Sequence, residues 1–153
     1  MTPMKTRSPL IVTALSLILF SANHSFAQTD SKKVARRVTA AQVNGVYRFY
    51  KSTFRVLALG NNKLKVQFEG VYENIIKSVF VGYTEGTATI EGNVATLVPE
   101  GTTGCKFIMT FLPGKLVVKQ EGADYECGFG HNVYATGTYR KIRSGKPKFL
   151  PPP

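Results

Sequence analysis

Lys63-Leu64-Lys65-Val66-Gln67-Phe68-Glu69 alternates apolar side chains with charged or amide ones at every position. Successive side chains of an extended chain point to opposite faces, so Leu64, Val66 and Phe68 share one face and Lys63, Lys65, Gln67 and Glu69 the other. This is the pattern of a half-buried antiparallel strand with one wet face. Downstream it recurs in 87–91 and 94–98, joined by Gly92-Asn93, a dipeptide suited to the positive backbone angles of a tight hairpin. It recurs again on either side of Pro113-Gly114, where Cys105, Phe107, Met109 and Phe111 alternate with Lys106, Ile108 and Thr110 and Leu116 and Val118 follow the turn.

Extended over the whole chain, the pattern predicts strands near 45–51, 54–59, 63–72, 82–91, 94–98, 105–111, 115–121 and 132–141, with almost no helix signal between them. Short strands in a meander without helical crossovers leave two all-β architectures, a closed or nearly closed antiparallel barrel and a β-sandwich. Gly45-Val46-Tyr47-Arg48 opens the first strand and Gly137-Thr138-Tyr139-Arg140 lies in the last. The repeat favours the barrel, because it marks two edge strands that close the sheet. An eight-stranded barrel is either filled by side chains or holds a small ligand, and here Leu64, Val66, Phe68, Phe107, Met109 and Phe111 are the residues expected inside.

The chain is 153 residues long, of which 43% are apolar and 11% aromatic, enough for one core and too short for two. Residues 1–27 read as a secretory signal peptide: Lys5 and Arg7, an apolar run from Leu10 to Phe20, and small residues at Ser25 and Ala27 before the expected cut. The run is too short for a transmembrane span, so the mature chain is expected in the periplasm or outside the cell. Cys105 and Cys127 are the only cysteines, and in an oxidising compartment they are expected to pair. A meander would place Cys105 near residue 122, so a bond to Cys127 implies a loop that returns over the barrel mouth.

Cleavage after Ala27 leaves 18 basic residues against nine acidic ones. Much of the excess lies in two terminal segments, Lys32, Lys33, Arg36 and Arg37 and then Arg140, Lys141, Arg143, Lys146 and Lys148. Residues 28–42 read as a basic arm or short helix, 43–142 as the barrel, and 143–153 as a disordered, Pro-rich basic tail. If first and last strands pair antiparallel, both basic segments meet at one rim, a candidate site for an anionic partner.

No catalytic constellation is visible. His131 is the one histidine after the signal peptide, and no Gly-x-Ser-x-Gly elbow, HExxH helix, P-loop or metal-ligand cluster accompanies it. Glu121, Asp124 and Glu126 lie on a short connection with no apolar pocket to raise a carboxyl pKa. The reading is therefore non-enzymatic, without cofactor or metal. In an exported chain the basicity points to envelope polymers, lipid headgroups or a protein rather than to dedicated nucleic-acid binding.

Cys105, the run Gln120-x-Gly122-x-Asp124, Cys127-Gly128-Phe129-Gly130-His131-Asn132-Val133 and Gly137-Thr138-Tyr139 together resemble a module of small exported bacterial proteins. Some of these are similar to lysozyme inhibitor-like envelope proteins. The resemblance covers most of residues 43–142. The loop residues Asp124, Glu126, Phe129, His131 and Asn132 are a candidate recognition site, and the resemblance implies inhibition of a lysozyme or another cell-wall hydrolase as an alternative function. A carrier for a small apolar ligand is a further alternative, although Tyr47 stands where a lipocalin-like Gly-x-Trp pattern has tryptophan.

Overall fold

A computed structural model describes residues 37–152. The expected signal peptide, and Lys32, Lys33 and Arg36 of the expected basic arm, lie outside the described residues. The alternation resolves into eight strands: β1 (Gly45–Phe49), β2 (Ser52–Gly60), β3 (Lys63–Glu73), β4 (Val79–Glu91), β5 (Val94–Leu97), β6 (Lys106–Leu112), β7 (Lys115–Glu121) and β8 (Gly137–Ser144). Each pairs antiparallel with the next and β8 pairs with β1, so the sheet closes as a barrel and not as a sandwich. β4 starts three residues before its expected beginning. β8 starts at Gly137 rather than 132, because the preceding residues belong to a cap over the barrel end.

The inward faces form one core. Phe54, Val56, Val66, Phe68, Phe107, Met109 and Leu116 are fully buried, and Leu64 and Phe111 nearly so. Phe68 is central: its ring centroid lies 4.8 Å from Phe54, 5.3 Å from Phe129 and 6.5 Å from Phe107. β4 makes room by presenting small residues inward. A Cβ on Gly82 would stand 2.7 Å from Val133 and 2.9 Å from the Phe129 ring, closer than carbon atoms approach. A small apolar ligand would have to displace these rings to enter.

Both ends are closed. At one, the short helix α1 (Ala40–Val43) buries Val43, held by the Thr39 N–H donating to the Gln42 side-chain oxygen at 2.8 Å. At the other, the β7–β8 connection folds back over the barrel through the 3-10 turn Tyr125–Cys127 and inserts Phe129 and Val133. Lys106 pairs with Glu121, so Cys105 does lie beside residue 122, and the Cys105–Cys127 disulfide fastens the returning loop instead of a strand pair.

The repeated tyrosines anchor these two closures. The Tyr47 hydroxyl donates to the Val43 carbonyl at 2.7 Å, and the Tyr139 hydroxyl to the Ala135 carbonyl at 2.9 Å. Each thus bonds the residue four positions upstream, one clamping the α1 closure and the other the cap.

The C-terminal segment differs from the expected disordered tail. It runs back along the outer wall, with Pro147 buried. The Leu150 N–H donates to Gln67 Oε1 (3.1 Å), and Gln67 Nε2 donates to the Leu150 carbonyl (2.8 Å). Gln67, expected on a wet face, is fully buried beneath this segment. Its amide also meets Arg55, Tyr83 and Glu85. Proline leaves a chain with little extended-state entropy to lose, and a buried amide offers both a donor and an acceptor to one backbone residue. Composition alone gives no hint of that partner.

Candidate functional site

Antiparallel register sets cations side by side on the outer wall. Arg140 of β8 is the direct cross-strand partner of Arg48 in β1 and of Lys115 in β7. All three side chains are exposed. Like charges directly opposite each other destabilise a sheet, so the row Lys115, Arg140, Arg48 costs the free protein energy.

Several other cations of the barrel are neutralised locally, while Lys63 donates to the Thr89 hydroxyl. Lys51 and Lys77 contact Glu73, Arg55 contacts Glu69, Lys65 contacts Glu85, and Lys106 and Lys119 share Glu121. Among the described residues no carboxylate lies within ion-pair distance of Arg48, Lys115, Arg140, Arg143 or Lys148.

A bulge shapes the wall beside the row. Register shifts between Val46, which faces Arg143, and Tyr47, which faces Lys141, leaving Ile142 without a partner. Such a bulge re-aims side chains, and here Ile142 and Arg143 both line a groove of about 230 Å3. Val46 and Leu150 give the groove further apolar surface, while Arg48 and Lys148 add positive charge, Thr53 a hydroxyl and Arg55 a guanidinium already paired with Glu69. An anionic group with an apolar neighbour fits this mixture of guanidinium donors and aliphatic surface.

The expected site residues are therefore split. Arg140, Arg143 and Lys148 lie on the wall, and Lys146 and Arg37 are exposed. Lys141, two residues after the buried Tyr139 and opposite Tyr47, falls on the inward face of β8. Its ammonium donates to the Gln42 and Asn44 carbonyls at 2.6 and 3.1 Å and sits over the Tyr47 ring, and burial holds its pKa below the ordinary lysine value. Lys141 thus fastens α1. The paired strand ends do set the two terminal segments side by side, Gly45 facing Ser144, but the C-terminal cations collect on the wall and not on the rim.

Arg48 and Lys115 were hidden among the strand charges of a nearly neutral barrel. A signal for Arg48 existed: the two Gly-x-Tyr-Arg copies end in the arginines that face each other.

The candidate recognition loop is split, with Phe129 buried, Asp124 and Glu126 half-buried, and His131 and Asn132 exposed. Asp124 accepts from the Asn132 and Tyr125 N–H groups, both at 2.8 Å, and these bonds hold its pKa below the usual carboxylate range. Glu126 accepts from the Ala123 N–H, Phe129 fills the barrel end, and His131 stands edge-on to Phe80. Asn132 adopts a left-handed backbone, φ 60°. Lys106, and then Lys119, lower the Glu121 pKa in the same way. Asp124 and Glu126 are engaged in holding the cap, and Glu121 in pairing with Lys106 and Lys119.

Among the described residues no helix is long and apolar enough to cross a membrane. Comparisons of the chain with protein-family models, with curated proteins and with solved structures return no match.

Proposed function

We propose that this chain is a non-enzymatic, exported binding module that takes an anionic component of the cell envelope on its cationic wall. The observation that carries the reading is the row Lys115, Arg140, Arg48, three neighbouring cations without a carboxylate partner among the described residues. A stable barrel gains nothing structural from that arrangement, whereas an anion laid across it relieves the repulsion and gains charge-assisted hydrogen bonds. The disulfide and the apolar leader support export, since such bonds persist in oxidising compartments.

Inorganic polyphosphate is a suitable probe. Titrated at low salt, it should bind the mature chain with an affinity that falls steeply with ionic strength. Arg48→Gln and Arg140→Gln should each weaken binding about tenfold, as expected for one charge-assisted contact of about 1.5 kcal/mol, and each should reduce the log-log salt slope by about one. Binding of both variants at the wild-type level would remove the wall from the mechanism. A chain ending at Ser144, which lacks Lys148, tests the tail in the same titration.

A further inference from the structure

The barrel end that carries the cap is apolar at its surface. The β3–β4 ladder continues through Val71–Val81, Tyr72–Phe80 and Glu73–Val79, whereas β2 pairs with β3 only as far as Glu69. The hairpin therefore projects past its neighbour. Its inner side packs down: Tyr72 and Phe80 lie against the core, and the Gly130 N–H donates to the Val81 carbonyl. Its outer side does not, and Val79 and Val81 are more than half exposed, at 59% and 53%. At the tip Ile75 is 98% exposed and Ile76 76%.

This tip is held, not frayed. The Asn74 side-chain oxygen accepts from the Ile76 and Ser78 N–H groups, and the Asn74 N–H donates to the Ser78 carbonyl. Lys77 is fixed in the left-handed region at φ 65°, which costs a residue with a long side chain energy. Turns ordinarily carry small polar residues. An ordered turn that displays two adjacent isoleucines in water is stable only at a cost, unless something apolar receives them.

We infer that this end inserts its hairpin tip into an anionic lipid bilayer. Shape and charge favour lipid over a protein partner. The apolar surface is a convex point, which a fluid acyl phase accommodates without a matching pocket. Tyr50, 86% exposed, and Tyr134 line one hollow with Val71 beside the hairpin, placing amphipathic rings where a membrane interface would lie. Lys51 and Lys77 beside the tip are paired with Glu73, so the free positive charge on this side is that of Arg48, where the cationic row begins, two residues from Tyr50. Apolar tip, tyrosines and cations succeed one another as acyl chain, interface and anionic headgroup do. The headgroup part of this inference rests on the anion-binding reading of the wall; the insertion rests on the hairpin alone.

The chain contains no tryptophan, so Ile76→Trp supplies a single reporter. Mixed with vesicles containing phosphatidylglycerol, its emission should shift to the blue and be quenched by brominated acyl chains, and phosphatidylcholine vesicles should give a much smaller response. Ile75→Ser with Ile76→Ser should lower vesicle affinity about tenfold or more at about 0.5 M salt, where screening has weakened the cations, while binding polyphosphate like wild type at low salt. An unshifted tryptophan on vesicles that still bind the protein overturns insertion and leaves the wall intact. A shifted tryptophan without polyphosphate binding overturns the wall instead. A dimer in sedimentation that the double serine variant dissolves would assign the tip to a second copy of the chain and overturn the lipid inference.

Discussion

Phe68→Ala should destabilise the barrel by about 3–5 kcal/mol, the range for removing a buried aromatic ring from a packed core. The upper part of that range applies here because collapse is hindered. The ring touches three other aromatic rings carried by different parts of the fold: Phe54 on β2, Phe107 on β6 and Phe129 of the cap. It also fills the space left by Gly70, whose Cβ would stand 2.6 Å from the Phe68 ring. Strands tied into a closed sheet cannot move inward to fill the void. Urea denaturation of the mature protein checks this, with the midpoint falling and the slope unchanged. A loss below about 1 kcal/mol would mean that the interior is looser than the ring contacts imply.

Removal of the disulfide is the second large effect. Cys105→Ser with Cys127→Ser opens a link between residues 22 apart in sequence, which in the chain-entropy model stabilises the fold by about 3 kcal/mol. Both cysteines are buried against the core, so the serine hydroxyls also need partners there. The loss should be uneven. Amides of the cap, such as Asn132 bonded to Asp124, should exchange far faster, while the β3–β4 ladder retains its protection. Equal acceleration everywhere would contradict the assignment of the disulfide to the cap.

The all-β class, the closed barrel and the disulfide were legible because each depends on a short-range pattern. Alternation gives the strand faces, and Gly92-Asn93 and Pro113-Gly114 give hairpins whose strands can only be neighbours. The Gly-x-Tyr-Arg repeat announced the closing pair, although its tyrosines do more than mark an edge: each reaches back four residues to hold an end closed.

What was illegible depends on the third dimension. Gln67 reads as solvated, since nothing in its own strand says that residues 83 positions later cover it. Lys141 reads as one of a basic cluster, and only the fold sets the Gln42 and Asn44 carbonyls against its ammonium. The cationic row was missed for a related reason. Arg48, Lys115 and Arg140 are far apart in sequence, and only Arg140 stands in a terminal basic cluster. Register, not composition, places them side by side.

Arg140→Gln tests the central claim most directly, read twice on one sample: the thermal midpoint of the free protein at low salt, and its affinity for polyphosphate. If the wall is kept for an anion at the expense of the fold, relieving two like-charged cross-strand pairs should hold or raise the midpoint, by up to about 1 kcal/mol in stability, while affinity falls about tenfold. A lowered midpoint with affinity unchanged would contradict the account, because Arg140 would then be serving the barrel and not a ligand.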